Sequence, residues 1–484
     1  MSDAKTKRFN QAAGKKIALL IGLTLLATGC STLDSAKFIA KTNEQVASFT
    51  QGNLVLAQNQ AEHEAMQRNA TQLLSRPLEQ NDALQLALFN SPQLQAILAQ
   101  HWAYAAQALE QGRMTNPLFT VERLSSADSL ELGRMLSFGL LDLLSLPQRS
   151  SRADNLLIQQ QIRLSSKLIE HLTQVRQAWV SAVAAQQQLV YAQQVDHAAQ
   201  ASNELAKRLE QAGNFSAWQR AKQQAFYADA ATQSTTAQHH RLATREALVR
   251  LLGLSETQAG TLRLPDRLPE LPSQARTAEE ISKLASQTRL DIQLAQAILA
   301  AHAKAQGLPE LASLSELSLG LQRKQVVDQA TANTSAQQNT QHGYEISLRL
   351  PLFNWGEYQH AALNAQTLAA ANQLEASLRA ASSSLRERYS AYRSAFALSK
   401  HYRDELIPLR KLIAQENILR YNAMLISPFE LLADSREQIQ TVLAALAAEE
   451  QFWLADAALQ AELIGTPSTL MTNPLTTNRV QTTE

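Results

Sequence analysis

The strongest constraint on this chain is that most of it is written twice. "LALFNSPQLQAILAQ", from Leu86, is answered by "LASQTRLDIQLAQA", from Leu284, at an offset of 198. "VRQAWVSAV", from Val175, is answered by "LRERYSAYR", from Leu385, at 210, and "QAGNFS", from Gln211, by "NAMLIS", from Asn422, at 211. A duplicated chain must fold each half into the same unit and bury the two against each other. The offset grows by about a dozen residues between the first pair and the second, so the second copy carries an insertion. The polar run "KQVVDQATANTSAQQNTQHG" (324–343) is expected to hold it as a long exposed loop. Between the copies, "LRLPDRLPELPSQ" (262–274) has prolines that forbid helix and mark a linker. The expected layout is a first repeat at 81–261 and a second at 275–464. A segment at 30–80 precedes them, and a flexible tail at 465–484 follows.

Each copy reads as helix, two strands, very long helix, turn, helix. In the second copy Leu317, Leu319 and Leu321 alternate with polar residues. Tyr344, Ile346, Leu348, Leu350 and Leu352 then alternate with Glu345, Ser347, Arg349 and Pro351. In the first copy "LFTVERL" (118–124) pairs with "LELGRMLSFGL" (130–140), where Leu130, Leu132, Leu136, Phe138 and Leu140 share a face and Arg134 breaks it. Such strands match the length that crosses a bilayer when tilted. A soluble sheet with one wet face shows the same alternation, but it would need more than the four strands visible here. Four strands cannot close a barrel alone, and open edges are not tolerated in lipid. The barrel is therefore expected to be shared among chains.

From about Trp355 to Met424 the second copy runs helical for about 70 residues, near 100 Å at 1.5 Å per residue. Its apolar spacing (Leu374, Leu378, Leu385, Tyr389, Tyr392, Phe396) is of coiled-coil type, as is Ile158, Ile162, Ile169, Leu172, Val175, Trp179 in the first copy. Pro408 is expected to kink the later helix.

The N-terminus reads as a signal. Lys5, Lys7, Arg8, Lys15 and Lys16 precede the apolar run "IALLIGLTLLATG" (17–29), too short to span a bilayer comfortably. Removing residues 1–29 takes away five cations and Asp3, which moves the formal charge from +1 to about −3. Cys30, the only cysteine, follows directly in "LLATGC" and cannot form an internal disulfide. Scarce Gly and Pro, with 5% aromatics, argue for long helices over a loop-rich enzyme. The near-neutral charge gives no basic surplus for nucleic acid. The ten histidines show no metal-ligand spacing, and His239-His240 point apart on a helix as solvated surface. No Walker-type loop or G-x-S-x-G appears, so neither catalysis, cofactor, metal site nor self-powered transport is expected.

The duplicated plan, with "LPLFNWG" at a strand-to-helix junction, resembles the outer-membrane efflux proteins of the TolC family, in particular their lipoprotein branch. The likeness covers residues 30 to about 464. "LLATGC" resembles a lipobox, with Cys30 the lipidated residue, and Ser31 after it favours the outer membrane of a Gram-negative cell. The resemblance implies an α+β membrane protein: a homotrimer whose chains give four strands each to one β-barrel, continued by a coiled-coil α-helical tunnel through the periplasm. It implies a passive duct for small molecules in a tripartite system, with an inner-membrane pump and a periplasmic adaptor as partners. Type I protein secretion is the alternative duct, and a structural coiled-coil lipoprotein the alternative without one.

Two departures stand out. "RYNAMLIS" has Met424 where the family commonly has Gly, and the first junction, "LLSLPQRSSRA", sets Pro147 against Gly356, a residue suited to a helix start. Glu430 and Asp434 follow the second turn at i, i+4 and share a helical face. In a trimer they would form a carboxylate ring favouring cations, or else stand as solvated acids. The resemblance supports Glu430 as a gate acid and fails at the other position, where Ala433 stands. The turns Gly213-Asn214-Phe215-Ser216 and Met424-Leu425-Ile426-Ser427 occupy equivalent places, at the tube end farthest from the barrel. Their apolar residues either staple neighbouring helices or form the seat where, by resemblance, the adaptor docks.

Overall fold

The computed structural model describes residues 35–50, 53–126, 129–305, 317–328, 338–348 and 356–465. The signal, Cys30, the strand-to-helix junction at 349–355 and the tail beyond Gly465 lie outside the described residues. In chain order the elements are α1 (Ser35–Thr50), α2 (Gln60–Leu73), α3 (Gln80–Asn90), α4 (Pro92–Glu110), β1 (Leu118–Ser125), β2 (Ser129–Gly139), α5 (Leu140–Gln211) and α6 (Ala217–Leu252). There follow α7 (Glu256–Thr261), α8 (Ala278–Thr288), α9 (Leu290–Ala305), β3 (Leu317–Asp328), β4 (Gln338–Leu348), α10 (Glu357–His401), a π-turn (Tyr402–Leu406), α11 (Ile407–Asn422) and α12 (Pro428–Ile464). No described helix is long and apolar enough to cross a membrane.

The duplication is visible in detail. The helix expected to lead each copy is two helices, broken at Ser91 and at Arg289, positions separated by the same offset of 198 as the sequence repeat. Both residues leave the helical region with nearly equal ψ, 112° and 113°. Ser91 then caps α4 by accepting from the Leu94 N–H, ahead of Pro92 at the first helical position.

The core sits where the long helices meet the flanking ones. Ile162, Ile169, Leu172, Val175 and Trp179 of α5 are buried against Leu84 and Leu88 of α3, Leu94 and Leu98 of α4, and Leu248 and Leu252 of α6. The indole N–H of Trp179 donates to the Leu78 carbonyl at 2.8 Å, so its polar edge is satisfied inside an apolar layer. The segment before the first repeat is part of this core. Phe38, Val46 and Phe49 of α1 are buried, and the Arg176 guanidinium lies 4.3 Å over the Phe49 ring. A second cluster joins Tyr392 and Phe396 of α10 to Phe452 and Leu459 of α12 and Ile281 of α8, with the Tyr392 and Phe452 ring centres 5.6 Å apart. The proline-rich linker lies pinned across the helices: Leu262 and Leu268 are buried, and the Pro269 carbonyl accepts from the Trp453 indole at 3.1 Å.

Among the described residues the four strands form one antiparallel sheet in the order β1-β2-β3-β4, leaving one edge each of β1 and β4 unpaired in the chain. Within the run at 324–343 expected as a loop, residues 324–328 and 338–343 are strand, and the middle, 329–337, lies outside the described residues. β3 extends to Asp328 and β4 starts at Gln338, with Lys324 opposite Gln341 and Val326 opposite Asn339. Backbone pairing asks only for extended residues, so Gln, Asn and Thr prolong the ladder without an apolar signal.

The long helices also start and run differently from the sequence reading. α5 starts at Leu140, so Pro147 lies inside it and not at its start. Asp142 and Arg149 form an ion pair at 3.1 Å that spans the proline, and Arg149 also donates to the Gln111 and Arg113 carbonyls at 3.1 and 2.9 Å. These contacts brace the turns that lack the Pro147 N–H. α5 runs 72 residues, about 108 Å at 1.5 Å per residue. In the second copy Gly356, at φ +84°, caps α10, and helical backbone continues to Asn422. The disturbance expected at Pro408 takes the form of the π-turn just before it, where the Ile407 N–H donates to the Tyr402 carbonyl, five residues back.

Candidate functional site

The sheet register sorts most of its side chains by face, with Leu118 and Leu124 on the polar face and Arg134 and Arg323 on the apolar one as exceptions. Phe119, Leu136, Leu321 and Tyr344 stand in one cross-strand row, and Phe138, Leu319 and Ile346 in the next row toward the helices, with Leu317 opposite Leu348 beyond. The side chains of Phe119, Leu321, Tyr344, Ile346 and Leu348 are at least half exposed. The other face carries Glu122, Glu131, Gln322, Lys324, Gln341 and Glu345, with Lys324 paired to Glu131 at 2.6 Å. One face suits hydrocarbon and the other suits water.

At the far end of the long helices are two turns of the same construction. In the first, Gly213 takes the left-handed conformation at φ +76°, and the Asn214 N–H reaches back to the Leu209 carbonyl at 2.9 Å. Ser216 then caps α6 in a capping box: its N–H donates to the Gln219 side chain at 2.7 Å, and its hydroxyl accepts the Gln219 N–H at 3.3 Å. In the second, Met424 takes the same conformation at φ +59°, the Leu425 N–H donates to the Arg420 carbonyl at 2.8 Å, and Ser427 caps α12 by accepting the Glu430 N–H at 3.3 Å. The tip geometry therefore survives the departure at Met424. A side chain in this region is strained by about 1 kcal/mol relative to Gly.

The turn residues are unequally covered. Met424 and Leu425 are 93% and 71% exposed, whereas Phe215 and Ile426 are partly buried. Trp218, which no periodicity marks, is 64% exposed beside the first turn, with the Lys222 ammonium 4.0 Å above its ring. Its only sequence signal is an aromatic residue two places after a cap, on an otherwise polar stretch.

Glu430 and Asp434 do not meet as a pair of free acids. Glu430 is exposed in the first turn of α12. Asp434 has a side chain only 12% exposed and lies 4.0 Å from the Arg410 guanidinium of α11, which itself holds Glu437 at 2.6 Å. Arg410 is 24 positions away on another helix, so nothing in the sequence announces it. Cys30 lies outside the described residues.

Burial tunes several groups in the helical core. It pushes the Asp456 carboxyl above its ordinary value, an effect partly offset by Arg276 at 3.4 Å and a hydrogen bond from Gln460. It pushes the His101 and His171 imidazoles below theirs.

No family model matches the chain, and no curated protein matches it in sequence. Solved structures do match. The Campylobacter jejuni CmeC outer membrane channel aligns at a TM-score of 0.62 and 15% identity, over 88% of this chain and 92% of that one. The Neisseria gonorrhoeae MtrE outer membrane channel, in its open state, aligns at 0.60 and 18% identity, over 82% and 89%. The outer membrane protein VceC of Vibrio cholerae aligns at 0.60 and 14% identity, over 84% and 97%. At these identities the likeness is one of fold. A four-stranded sheet on duplicated long helices is thus the fold of the TolC-family outer-membrane efflux channels, and this chain has it.

Proposed function

We propose that this chain is the outer-membrane channel of a tripartite export system, conducting small molecules passively from the periplasm. The observation that carries this reading is the sheet: one exposed apolar face, one polar face and two open edges, set on helices about 100 Å long. Open edges in lipid require neighbouring chains, and a homotrimer closes a barrel of twelve such strands. The long helices need neighbours too. Leu368, Leu378, Leu398, Leu412 and Leu419 of α10 and α11 are all exposed in the single chain, and packing against another copy would cover them. In this reading Cys30 carries a lipid anchor in the outer membrane, and the pump that drives transport sits in the inner membrane.

The two tips are the adaptor seat, with Met424 and Leu425 as its exposed apolar contacts and Gly213, Asn214, Phe215, Ser216, Ile426 and Ser427 setting the turns. Glu430 lines the constriction. Asp434 acts there through the Arg410–Glu437 cluster, as part of a network that must shift when the tube opens. The deciding experiment is reconstitution of the purified chain into planar bilayers. The duct reading expects discrete conductance steps from trimers, and a structural rod gives none. Replacing both Phe215 and Leu425 with Asp separates docking from packing. Docking expects normal trimers and open channels with loss of export in cells, and dissociated trimers would make these residues packing groups.

A further inference from the structure

Arg134 interrupts the apolar face of β2, and the register shows what it belongs to. It stands opposite Val121 of β1 and opposite Arg323 of β3, and Arg323 stands opposite His342 of β4. Arg123 follows Val121 by two residues on the same face. All four basic side chains are exposed. Two guanidiniums directly opposed across neighbouring strands destabilise a sheet unless an anion stands between them. Among the described residues no carboxylate occupies a register position on this face; Glu122, Glu131 and Glu345 all lie on the other. No described residue of the chain supplies that anion, which leaves a ligand from the surroundings to do so.

Depth says which anion. The row next to the patch on the helix side is Phe119, Leu136, Leu321 and Tyr344, and apolar alternation continues in sequence from Tyr344 to Leu352. The described rows from Tyr344 to Leu348 rise roughly 13 Å along the barrel axis at a tilt of about 40°, about half of the apolar band of about 25 Å that outer-membrane barrels present. The basic patch lies on the hairpin side of these rows, away from the helices, where the face turns mixed: Leu130, Leu132 and Val327 stand among Gln325, Gln338 and Thr340. At that depth a charge costs little, whereas at mid-membrane it would not be tolerated. We propose that Arg123, Arg134 and Arg323, with His342, form a docking patch for the phosphorylated headgroups of the outer-leaflet lipid. This rests on the outer-membrane reading above, and in a trimer the patch occurs three times around the barrel.

The test is lipid selectivity of the full-length protein reconstituted in phosphatidylcholine bilayers, read by spin resonance with spin-labelled phosphatidic acid and spin-labelled phosphatidylcholine. The wild type is expected to prefer phosphatidic acid by at least about threefold at low salt, a preference that added salt screens. R123Q/R134Q/R323Q should bring the ratio to about one, and the corresponding triple Lys variant should keep most of it, since a phosphate accepts a point charge. K324Q, on the opposite face, should leave the ratio unchanged. If the triple Gln variant does not assemble, R134Q and R323Q singly must each lower the ratio. A wild type without preference, or Gln variants that retain it, overturns the patch while the membrane reading stands. If the wild type holds no motionally restricted lipid at all, the membrane reading fails and the patch falls with it.

Discussion

Arg289 closes the break between α8 and α9, and its removal should open the end of the helical domain. Its side chain is 8% exposed and grips Asp291 with two nitrogens at 3.1 and 2.7 Å. It also reaches the Glu462 carboxylate at 3.0 Å and the Glu462 carbonyl at 3.2 Å. The Asp291 N–H completes the clamp by donating to the Gly465 carbonyl at 3.0 Å, so the start of α9 is tied to the end of α12. Removing one partner of a buried ion pair costs about 3–5 kcal/mol. Here Asp291 keeps the Ile292 N–H at 2.9 Å and Glu462 keeps the Ser384 hydroxyl at 2.6 Å, which argues for the lower end of that range. Arg289→Met should therefore lower the local opening free energy by about 3 kcal/mol, or about a hundredfold in hydrogen-exchange protection at the Asp291 amide. Adding Glu462→Gln removes one of the two orphaned carboxylates and should restore at least about 1 kcal/mol. A drop in protection below about threefold, or strict additivity of the two substitutions, would refute the clamp.

Three further outcomes concern single residues elsewhere in the helices and turns. Met424→Gly should relax the left-handed residue at φ +59° and raise stability by roughly 0.5–1 kcal/mol, read as a higher melting temperature of the purified protein. His171 is buried, and its Nε2 has no hydrogen-bond partner among the described residues; burial lowers its pKa. As pH falls below about 6.5, the unfolded chain takes up a proton that the folded one refuses, so stability is lost with falling pH by at most ~1.4 kcal/mol per unit. His171→Leu should flatten that slope in melting curves taken between pH 7 and 5. Asp456 has the opposite sign, because burial raises its carboxyl and its penalty grows as pH rises from about 4 through the raised value. Asp456→Asn should therefore raise the melting temperature at pH 7 and leave it nearly unchanged at pH 4.

Much of the architecture is legible from periodicity. Alternation at 317–321 and 344–348 marks strands because one face meets a single environment, and Val175 and Trp179 mark the buried seam of α5 because helical spacing returns them to the core. What periodicity misses is structure that needs no apolar residue. Gln338 to Gln341 form strand through backbone pairing alone, and the helix that starts at Leu140 passes Pro147 because Arg149 and Asp142 brace it from outside. Arg134 looks anomalous on one strand and becomes one of a group once the register sets Arg323 and His342 beside it. The tips are readable as turns from Gly213 and from the Ser caps, but the pairing of Asp434 with Arg410 depends on how two helices face each other.

The π-turn at Tyr402–Leu406 accounts for a discrepancy in the repeat itself. The two copies are offset by 210 residues at Val175 and Leu385, and by 211 at Gln211 and Asn422, so the second copy holds one residue more in this interval. An i→i−5 turn takes up one residue more than an α-turn, and the one π-turn among the described residues falls inside that interval. Without it, a single inserted residue would turn everything beyond it by about 100° and push it 1.5 Å along the axis. The π-turn thus reads as the scar of a one-residue insertion that the helix absorbed locally, which left the two tips with matching backbone geometry. Deleting one residue of 402–406 should convert this stretch to an α-helix in register with the matching part of α5.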